Sequence, residues 1–378
     1  MIIAIDTRWI RSKVPDGIGR VALGLAKELI KEKRYTYILL YSNGKIKSLL
    51  DKDLKAENYS NIKWLKVNYP VLSLKDFMLL PSFLRRQNID IYYTFNYLTS
   101  WRHKGYKVII TIYDLIPYLF RENFRSASLK WRIFFTQKFF VKKMLMNSDS
   151  IISVSKSTKN DVIKIFNIPQ SKIKIVCSGI KSLKEDSQNV ESKRLIHKDY
   201  ILYVGRKDPY KNLKMLISAY AEMDNDTKNK YSLVIAGKKD DIQTKLLKKE
   251  IENYKEQDNI VFFDDIKNEE LSSLYEYASL FIYPSLYEGF GLPPLEAMSF
   301  GVPVVASDIS SLKEVLGDAA LYVNPKNTSE IKDKISELLN NKELRGFLIK
   351  KGFEQVKKFS WEKSAKKIIN IFNNLERN

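Results

Sequence analysis

Short runs of apolar, often β-branched residues alternate with longer helical patterns along the whole chain. This alternation predicts βαβ units and parallel sheets, because a parallel connection needs a crossover helix between two strands. We therefore expect an α/β protein. The predicted strands are Ile2–Ile5, Tyr37–Tyr41, Ile62–Val67, Ile91–Thr94, Val108–Ile112, Ser150–Val154, Ile173–Val176, Tyr200–Val204, Ser232–Ala236, Ile260–Phe263, Leu280–Tyr283, Pro303–Ala306 and Ala320–Val323. The predicted helices are 17–33, 73–87, 127–147, 156–167, 212–223, 241–255, 269–277, 293–299, 310–316, 328–340, 342–358 and 361–378.

The length and one polar stretch divide the chain into two expected domains. A chain of 378 residues is long enough for two domains with separate cores. Residues 180–198 are rich in Ser, Lys, Glu and Asn, which is typical of a linker. We predict an N-terminal domain over 1–179, completed by a C-terminal helix at about 361–378, and a C-terminal domain over 199–360.

The composition is that of a soluble globular protein, with 44% hydrophobic and 29% charged residues. The longest apolar stretch, Val108–Phe120, contains Asp114 and Pro117 and is too short to cross a bilayer. The first six residues resemble a short strand and not a signal peptide, so we expect a cytoplasmic protein. With a single cysteine, Cys177, and two histidines, we expect neither an internal disulfide nor a zinc site.

The net charge of +20 is concentrated in the first half of the chain. Residues 1–180 contain 32 lysines and arginines against 13 acidic residues, whereas residues 181–378 contain 32 against 31. A positive field confined to one domain predicts a polyanionic partner: nucleic acid, an anionic membrane or a phosphorylated substrate. The alternative is a lysine-rich composition with solvated cations, which the near-neutral second half argues against.

Residues 288–296, Glu-Gly-Phe-Gly-Leu-Pro-Pro-Leu-Glu, predict a loop that opens a helix. Gly289 and Gly291 allow a ligand to approach the backbone, and two prolines suit a first helical turn. The amides and dipole of such a helix start favour an anion or sugar hydroxyls. Glu288 and Glu296 flank this segment. The alternative is a surface helix start with two solvated glutamates.

A basic loop, residues 205–212, follows a predicted strand and precedes a helix. In open parallel sheets ligands bind beyond the carboxyl ends of strands, where such loops lie. Arg206 offers a forked donor group and Lys211 a point charge, which together suit a diphosphate. The alternative is a basic surface loop. No Walker A sequence is present.

Two further segments follow strands in the first half. Gly17 and Gly19 open a predicted helix and could lie against a phosphate, although a tight turn is the alternative. They lack a third glycine and a downstream acidic residue, so they predict no dinucleotide site. Asp114 ends an apolar strand and points toward the expected cleft, or it simply caps a turn.

Taken together, these segments resemble the family 4 glycosyltransferases, which are retaining enzymes of the GT-B fold. The resemblance covers nearly the whole chain and is strongest over 200–212, 261–298 and 301–306. It implies two Rossmann-like doubly wound domains facing across a cleft. Residues 17–20 and 114–117 look most like the mannosyltransferase branch of bacterial O-antigen and capsule assembly.

The resemblance implies a role for each matching residue. Arg206 and Lys211 would hold the donor's diphosphate and counter the charge on the leaving nucleotide. Glu296 would bind the ribose and Glu288 would face the transferred sugar, with Asp114 completing the catalytic set. The other donor contacts would come from Gly17, Gly19, Gly205, Asp265, Ile266, Gly289, Phe290, Gly291 and Leu292.

Such enzymes need neither metal nor cofactor, and we expect none here. Asp51 and Asp53 lie in what reads as a polar loop, so they predict no metal site. The chain departs from the family at Tyr113, where histidine is usual, and at Asp264, where glycine is usual. Tyrosine, with a pKa near ~10, cannot replace imidazole in acid–base chemistry at pH 7. Front-face attack, in which the donor's phosphate takes the acceptor proton, tolerates this loss.

Aromatic residues interleaved with cations in the first half suit an anionic lipid interface. These segments are Tyr118–Arg125, Trp131–Phe135, Phe139–Met144 and Phe77–Leu80 with Arg85 and Arg86. The alternative is that these aromatics belong to the core faces of ordinary helices. The expected acceptor is a polyprenyl-diphosphate- or lipid-linked glycan, reached from the inner face of the cytoplasmic membrane.

The sequence thus predicts a retaining, metal-independent hexosyltransferase, with mannose favoured and a GDP or UDP sugar as donor. A catalytically impaired, sugar-binding relative is the first alternative, and Tyr113 supports it. A nucleic-acid-binding protein is the second. We expect no nucleic-acid partner, because no recognition helix, RNA-binding signature or zinc module is evident.

Overall fold

The computed structural model describes residues 1–11, 17–120, 137–180 and 193–376. The chain forms two compact units. The first unit contains Met1–Gly179 together with Phe359–Asn378, and the second contains Ile180–Lys358. Each unit is built around its own sheet, and the strand pairs of both sheets are parallel.

The first unit has a seven-stranded sheet. In spatial order its strands are β3 (Ile62–Lys66), β2 (Thr36–Tyr41), β1 (Ile2–Ile5), β4 (Ile91–Thr94), β5 (Lys107–Ile112), β6 (Ser150–Ser153) and β7 (Ile173–Ile175). Its described helices are α1 (Gly17–Leu29), α2 (Gly44–Leu54), α3 (Leu74–Arg85), α4 (Ile116–Leu119), α5 (Lys138–Asn147), α6 (Lys156–Phe166) and α15 (Trp361–Glu376).

The second unit has a six-stranded sheet. In spatial order its strands are β10 (Ile260–Asp264), β9 (Tyr231–Gly237), β8 (Asp199–Val204), β11 (Leu280–Tyr283), β12 (Val304–Ser307) and β13 (Ala320–Val323). Its described helices are α7 (Leu213–Ala221), α8 (Asn225–Lys230), α9 (Asp241–Tyr254), α10 (Asn268–Glu276), α11 (Leu292–Ser299), α12 (Ser310–Leu316), α13 (Thr328–Asn340) and α14 (Lys342–Val356).

The central strands are buried on both faces, which explains their nearly continuous apolar sequences. β4, β6, β11 and β12 contain only buried residues. The C-terminal helix α15 packs against α1 of the first unit, and a close approach makes this possible. A Cβ atom on Gly24 would lie 2.5 Å from the Trp361 ring, so glycine allows the indole to rest on α1.

The thirteen predicted strands are confirmed, and each predicted end lies within one residue of the observed one. Three described helices were not predicted: α2, α4 and α8. The assignment of Asp51 and Asp53 to a polar loop was wrong, because both lie in α2. Only Leu50 and Leu54 of α2 are buried, so its apolar pattern is weak. Part of the predicted helix 127–147 lies outside the described residues, and α5 covers the rest.

No helix within the described ranges is both long enough and apolar enough to cross a membrane.

Candidate active site in the second unit

The second sheet has a switch point between its neighbouring strands β8 and β11. From β8 the chain continues to β9 on one side, and from β11 it continues to β12 on the other. The loops that follow these two strands therefore diverge and leave a crevice, where open parallel sheets bind ligands. The backbone N–H of Leu286 donates to the carbonyl of Tyr210 at 2.8 Å, which ties the two loops together.

A buried ion pair spans this switch point. The Nζ atom of Lys211, after β8, lies 2.5 Å from Oε1 of Glu288, after β11. The same Nζ donates to the hydroxyl of Tyr283, the last residue of β11, at 2.8 Å. Lys211 and Glu288 are only 7% and 8% exposed, so each charge depends on the other and on Tyr283 for compensation. Burial, followed by the charge of Glu288, raises the pKa of Tyr283 well above its ordinary value, which keeps this hydroxyl protonated.

Arg206 lies beside this pair in sequence but has a more open side chain. Its side chain is 64% exposed, and its Nε lies 2.6 Å from Oδ2 of Asp208. Its carbonyl accepts a hydrogen bond of 2.7 Å from the hydroxyl of Tyr203, which fixes the backbone at the end of β8. Because the guanidinium is open to solvent, although Asp208 is only 12% exposed, it can exchange Asp208 for a more highly charged anion.

Asn212 holds the start of α7 in place. Its backbone has a positive φ of 63°. Its side-chain amide donates to the carbonyls of Pro284 at 3.1 Å and Pro325 at 2.6 Å. Asparagine therefore both adopts the left-handed turn and joins three loops that follow β8, β11 and β13.

The glycine-rich motif forms the loop and helix start that the sequence predicts. Gly291 has a φ of +90° and precedes α11, and a Cβ atom there would lie 2.6 Å from Cδ2 of Leu312. Glycine is thus required twice, for conformation and for space. Gly289, Phe290 and Leu292 complete this turn, in which Phe290 is buried.

Glu296 lies on α11 with a buried carboxylate. It is 7% exposed, and its Oε2 accepts a hydrogen bond of 2.9 Å from the hydroxyl of Tyr275 on α10. Proline at the start of α11 leaves few amide donors unsatisfied, while the remaining amides lie at the helix's positive end. Glu288 and Glu296 are therefore both held by a neighbouring donor group, and neither is a solvated surface glutamate.

A second buried lysine joins the ends of β8, β9 and β10. The side chain of Lys207 is fully buried, and its Nζ donates to the carbonyl of Lys238 at 3.1 Å. The same ammonium forms an ion pair with Asp264, the last residue of β10. Gly237, at the end of β9, lies so close to Gly205 that a Cβ atom would be 1.9 Å from the carbonyl oxygen of Gly205.

Asp265 and Ile266, the predicted base contacts, continue from this frame. Asp265 has a positive φ of 51°, and its N–H donates to the carbonyl of Gly237 at 2.9 Å. Its carboxylate accepts from the N–H of Lys239 at 3.1 Å. The loops after β9 and β10 are therefore fixed to each other, and Lys207 fixes them to β8.

The predicted site residues of the first half lie in the first unit. Gly17 is the first residue of α1, and Gly19, two positions later, is buried. Oδ1 of Asp114 accepts a hydrogen bond of 2.9 Å from the N–H of Ile116, at the start of α4. Asp114 therefore makes the turn-capping bond that was one of its two interpretations. Residues 12–16, which precede Gly17, lie outside the described residues.

Sequence reasoning missed four residues that support the cluster: Lys207, Asn212, Tyr275 and Tyr283. Lys207 and Asn212 belong to the quoted basic loop, but nothing marks which of its polar side chains are buried. Tyr283 ends an apolar strand, a position from which a polar tip reaches the crevice. Tyr275 carries no sequence signal. Within the described ranges, no group of three His, Cys, Asp or Glu side chains is placed to bind a metal.

Two family models match the chain, and each covers slightly less than half of it. The model described as "Glycosyl transferases group 1" matches residues 185–355, and the model described as "Glycosyltransferase Family 4" matches residues 15–182.

Curated relatives match over much or nearly all of the chain. "O-antigen chain mannosyltransferase B" of Escherichia coli is 30% identical over 94% of this chain and 95% of its own length. "O-antigen chain mannosyltransferase RfbU" of Salmonella typhimurium is 29% identical over 61% of this chain and 63% of its own length.

Solved structures share the fold at lower identity. A sucrose-phosphate synthase from Thermosynechococcus elongatus superposes with a TM-score of 0.75 at 19% identity, covering 100% of this chain and 99% of its own. Anabaena Alr3699/HepE in complex with UDP-glucose superposes with a TM-score of 0.73 at 15% identity, covering 99% of this chain and 100% of its own.

Proposed function

The chain belongs to the group 1 glycosyltransferases of family 4, and on that premise we propose that it is a retaining mannosyltransferase. It transfers a hexose from a nucleoside-diphosphate sugar, of GDP or UDP type, to a growing lipid-linked cell-surface polysaccharide. The observation that carries this proposal is the buried pair of Lys211 and Glu288 at the switch point, together with the open guanidinium of Arg206, five residues before Lys211 in the same loop. The names of the O-antigen mannosyltransferases among its relatives support mannose and O-antigen.

The cations after β8 suit a diphosphate leaving group. Arg206 provides a forked donor that can exchange Asp208 for phosphate oxygens. Lys211 is already desolvated and oriented by Glu288 and Tyr283, so it needs little reorganisation as charge develops. Together they stabilise the negative charge that grows on the nucleotide as the glycosidic bond breaks.

In the proposed reaction the acceptor hydroxyl attacks the anomeric carbon from the face that the diphosphate leaves. The bond from carbon to the phosphate oxygen breaks, a bond from carbon to the acceptor oxygen forms, and the acceptor proton passes to the leaving phosphate. The configuration is retained. Glu288 faces the sugar, and its ion pair with Lys211 fixes where its carboxylate can accept a hydrogen bond from a sugar hydroxyl. No side chain has to act as a base, so this mechanism is compatible with tyrosine at position 113. It requires no metal or cofactor.

The rest of the donor occupies the neighbouring loops in this proposal. Glu296, held by Tyr275, accepts hydrogen bonds from the ribose hydroxyls. The base lies against Asp265 and Ile266, which are fixed to β9 by backbone bonds. The amides of Gly289 to Leu292 face the sugar and phosphate. Gly17, Gly19 and Asp114 of the first unit contribute the remaining donor and catalytic contacts.

The acceptor is proposed to be a polyprenyl-diphosphate- or lipid-linked glycan that the first unit binds. The excess of cations in residues 1–180 supports an anionic partner for this half. We place the reaction at the inner face of the cytoplasmic membrane, with the enzyme bound peripherally.

Thermal denaturation with a panel of nucleotide sugars tests which of them is the donor. A ligand that binds only the folded state raises the melting temperature of the protein. The nucleotide sugar that raises the melting temperature is then used as the donor in transfer assays with a lipid-linked acceptor. We expect Arg206→Ala and Glu288→Ala to abolish transfer. Arg34→Ala is the matched control, since Arg34 forms a similarly exposed pair with Glu32, two positions away. Full activity of either site variant would overturn the assignment.

A second candidate, a catalytically impaired sugar-binding relative, is favoured by Tyr113 alone. It predicts a thermal shift with a nucleotide sugar but neither transfer nor hydrolysis of the donor. Tyr113→His distinguishes the two, because restored turnover in this variant with none in the wild type would favour the impaired relative.

A further inference from the structure

Two helices of the first unit, α3 and α5, expose large apolar side chains to solvent. The exposed fractions of Phe139 and Leu74 are 68% and 62%. Single exposed apolar residues are ordinary, but a group of them on one surface marks an interaction site. The members of the group are Leu74, Met78, Leu79, Phe139 and Met146.

An aromatic bridge joins the two helices into one surface. The ring of Phe77 on α3 lies 4.5 Å from that of Trp101, centroid to centroid, and Trp101 stacks on Phe140 of α5 at 5.8 Å. Phe139 packs edge-on against Phe140 at 5.5 Å. These rings place the exposed apolar residues of α3 and α5 on either side of Trp101. We call this the α3/α5 surface.

The charges on this surface are of one sign. α5 contains three lysines and no acidic residue, and the single acidic residue of α3, Asp76, is buried in an ion pair with Arg8. Nζ of Lys143 lies 5.0 Å from the centroid of the Trp101 ring, so this ammonium forms a cation–π contact with the aromatic bridge. The cations of the surface are Lys75, Arg85, Arg86, Lys138, Lys142 and Lys143.

The helical positions mix the two kinds of residue. On α3, Leu74, Met78 and Arg85 follow at spacings of four and seven, which places them on one face. Lys75, Leu79 and Arg86 repeat the same spacing beside them. Apolar and cationic side chains therefore lie next to each other and point outward together, which is the composition that an interface between headgroups and acyl chains favours.

We propose that the α3/α5 surface docks the protein on an anionic lipid bilayer. A second copy of the chain is disfavoured as the occupant, because two surfaces of the same positive sign repel. Nucleic acid would engage the cations but leave the exposed leucine, methionine and phenylalanine side chains in water. A bilayer with anionic headgroups satisfies both, since the cations meet the headgroups and the apolar side chains enter below them.

This inference rests on the peripheral membrane binding of the proposed function and names the surface responsible, but it is independent of the donor. It assigns a surface within the first unit, whereas the donor site lies in the second. A protein that transferred no sugar would still bind lipid through it, and a protein that bound no lipid could still bind the donor.

Vesicle flotation of the full-length protein tests the proposal, with phosphatidylcholine vesicles compared with vesicles that also contain phosphatidylglycerol. We expect binding to the anionic vesicles that weakens at high salt. A triple variant, Lys138→Gln, Lys142→Gln and Lys143→Gln, should lower the apparent affinity for anionic vesicles at least tenfold. Each cation near the membrane surface contributes about 1 kcal/mol. Lys245, Lys248 and Lys249→Gln on α9 removes the same charge elsewhere and should lower it much less.

The apolar part has its own matched pair of variants. Met78→Ser with Phe139→Ser should weaken binding to anionic vesicles several-fold, at unchanged net charge. Ile242→Ser with Phe347→Ser, which removes exposed apolar residues of the second unit, should not. All four side chains are exposed, so we expect melting temperatures close to that of the wild type.

Three outcomes would overturn the proposal. The first is equal loss in the site and control variants. The second is binding that ignores anionic lipid or salt. The third is a dimer that the Met78→Ser and Phe139→Ser variant abolishes, or salt-sensitive DNA binding that the lysine variant abolishes, while vesicle binding persists.

Discussion

Nζ of Lys211 lies 2.5 Å from Oε1 of Glu288, although the two residues are 77 positions apart in the chain. The pair joins the loops that follow β8 and β11, where the second sheet reverses its strand order. Both charges are buried, so their geometry is fixed before any ligand arrives. Such a site stabilises developing charge without having to reorganise.

We expect Lys211→Met to lower kcat of transfer by about 10²–10³-fold, the effect of removing one oriented group that stabilises charge in a transition state. It should also destabilise the fold by about 3–5 kcal/mol, because it leaves the Glu288 carboxylate buried and unpaired. Steady-state kinetics and urea denaturation measure the two effects.

The double variant Lys211→Met with Glu288→Gln should recover part of the lost stability but none of the activity, since its two changes act on one pair. Lys214→Met is the control, because Lys214 lies on α7 with a side chain that is 63% exposed. A catalytic loss in this control as large as that of Lys211→Met would contradict the role of the buried pair.

The sequence was sufficient to predict the strands and the loops of this site, for a physical reason. Parallel strands are buried on both faces, so their apolar runs are nearly continuous and are bounded by turn residues. The motif at 288–296 could also be recognised from the sequence, because the φ of +90° at Gly291 favours glycine. The lysine that pairs with Glu288 is determined by side-chain burial, which the sequence does not show.

We expect Lys207→Met to raise the KM for the donor about tenfold or more while kcat changes little, because this buried ammonium joins the loops proposed to hold the base. Asp264→Asn should have the same effect in a weaker form. Lys239→Met is the matched control, since Lys239 forms an exposed pair with Asp241. An unchanged KM with a lowered melting temperature would show that Lys207 only stabilises the fold.

We expect Gly237→Ala to destabilise the second unit and to abolish donor binding. Its Cβ would lie 1.9 Å from the carbonyl oxygen of Gly205, so β9 or the loop that carries Arg206 must shift. Gly346→Ala is the opposite case, because it lies within α14 with no atom within 4 Å of its Cβ, and it should stabilise by about 0.5–1 kcal/mol. Thermal denaturation with and without nucleotide compares them, and donor binding by Gly237→Ala at wild-type affinity would refute the first expectation.

We expect Arg8→Met to destabilise the first unit by about 3–5 kcal/mol, because Arg8 compensates two buried carboxylates, Asp6 and Asp76. Burial already raises the pKa of Asp76 to about 6, and loss of the guanidinium raises it further. The folded state then binds protons more tightly than the unfolded state, so stability falls as the pH rises from about 4 upward. Urea denaturation should therefore show a larger deficit at pH 8 than at pH 5. A deficit that is the same at both would contradict this account.

The two sets of buried polar residues differ in how well the sequence predicts them. Asp6 and Arg8 directly follow an apolar strand, but Asp76 joins them from a helix 68 residues away from Arg8. Tyr275 and Glu296 likewise lie on different helices, α10 and α11. Pairs of this kind arise from tertiary packing, and neither local periodicity nor motif spacing predicts them.

The hydroxyl of Tyr275 gives the sharpest separation between stability and donor binding. Tyr275→Phe removes one buried hydrogen bond and leaves the Glu296 carboxylate without this donor, which should destabilise the fold by about 1–3 kcal/mol. Tyr220→Phe removes a comparable bond to the carbonyl of Tyr231, which begins β9 at the opposite end of that strand from the site loops, and should have a similar effect on stability. If Glu296 binds the ribose, only Tyr275→Phe should also raise the KM for the donor, because the carboxylate can then rotate out of position. Isothermal titration with the nucleotide measures the dissociation constant, which should rise in Tyr275→Phe alone. Equal affinities in the two variants would mean that Tyr275 and Glu296 serve the fold alone.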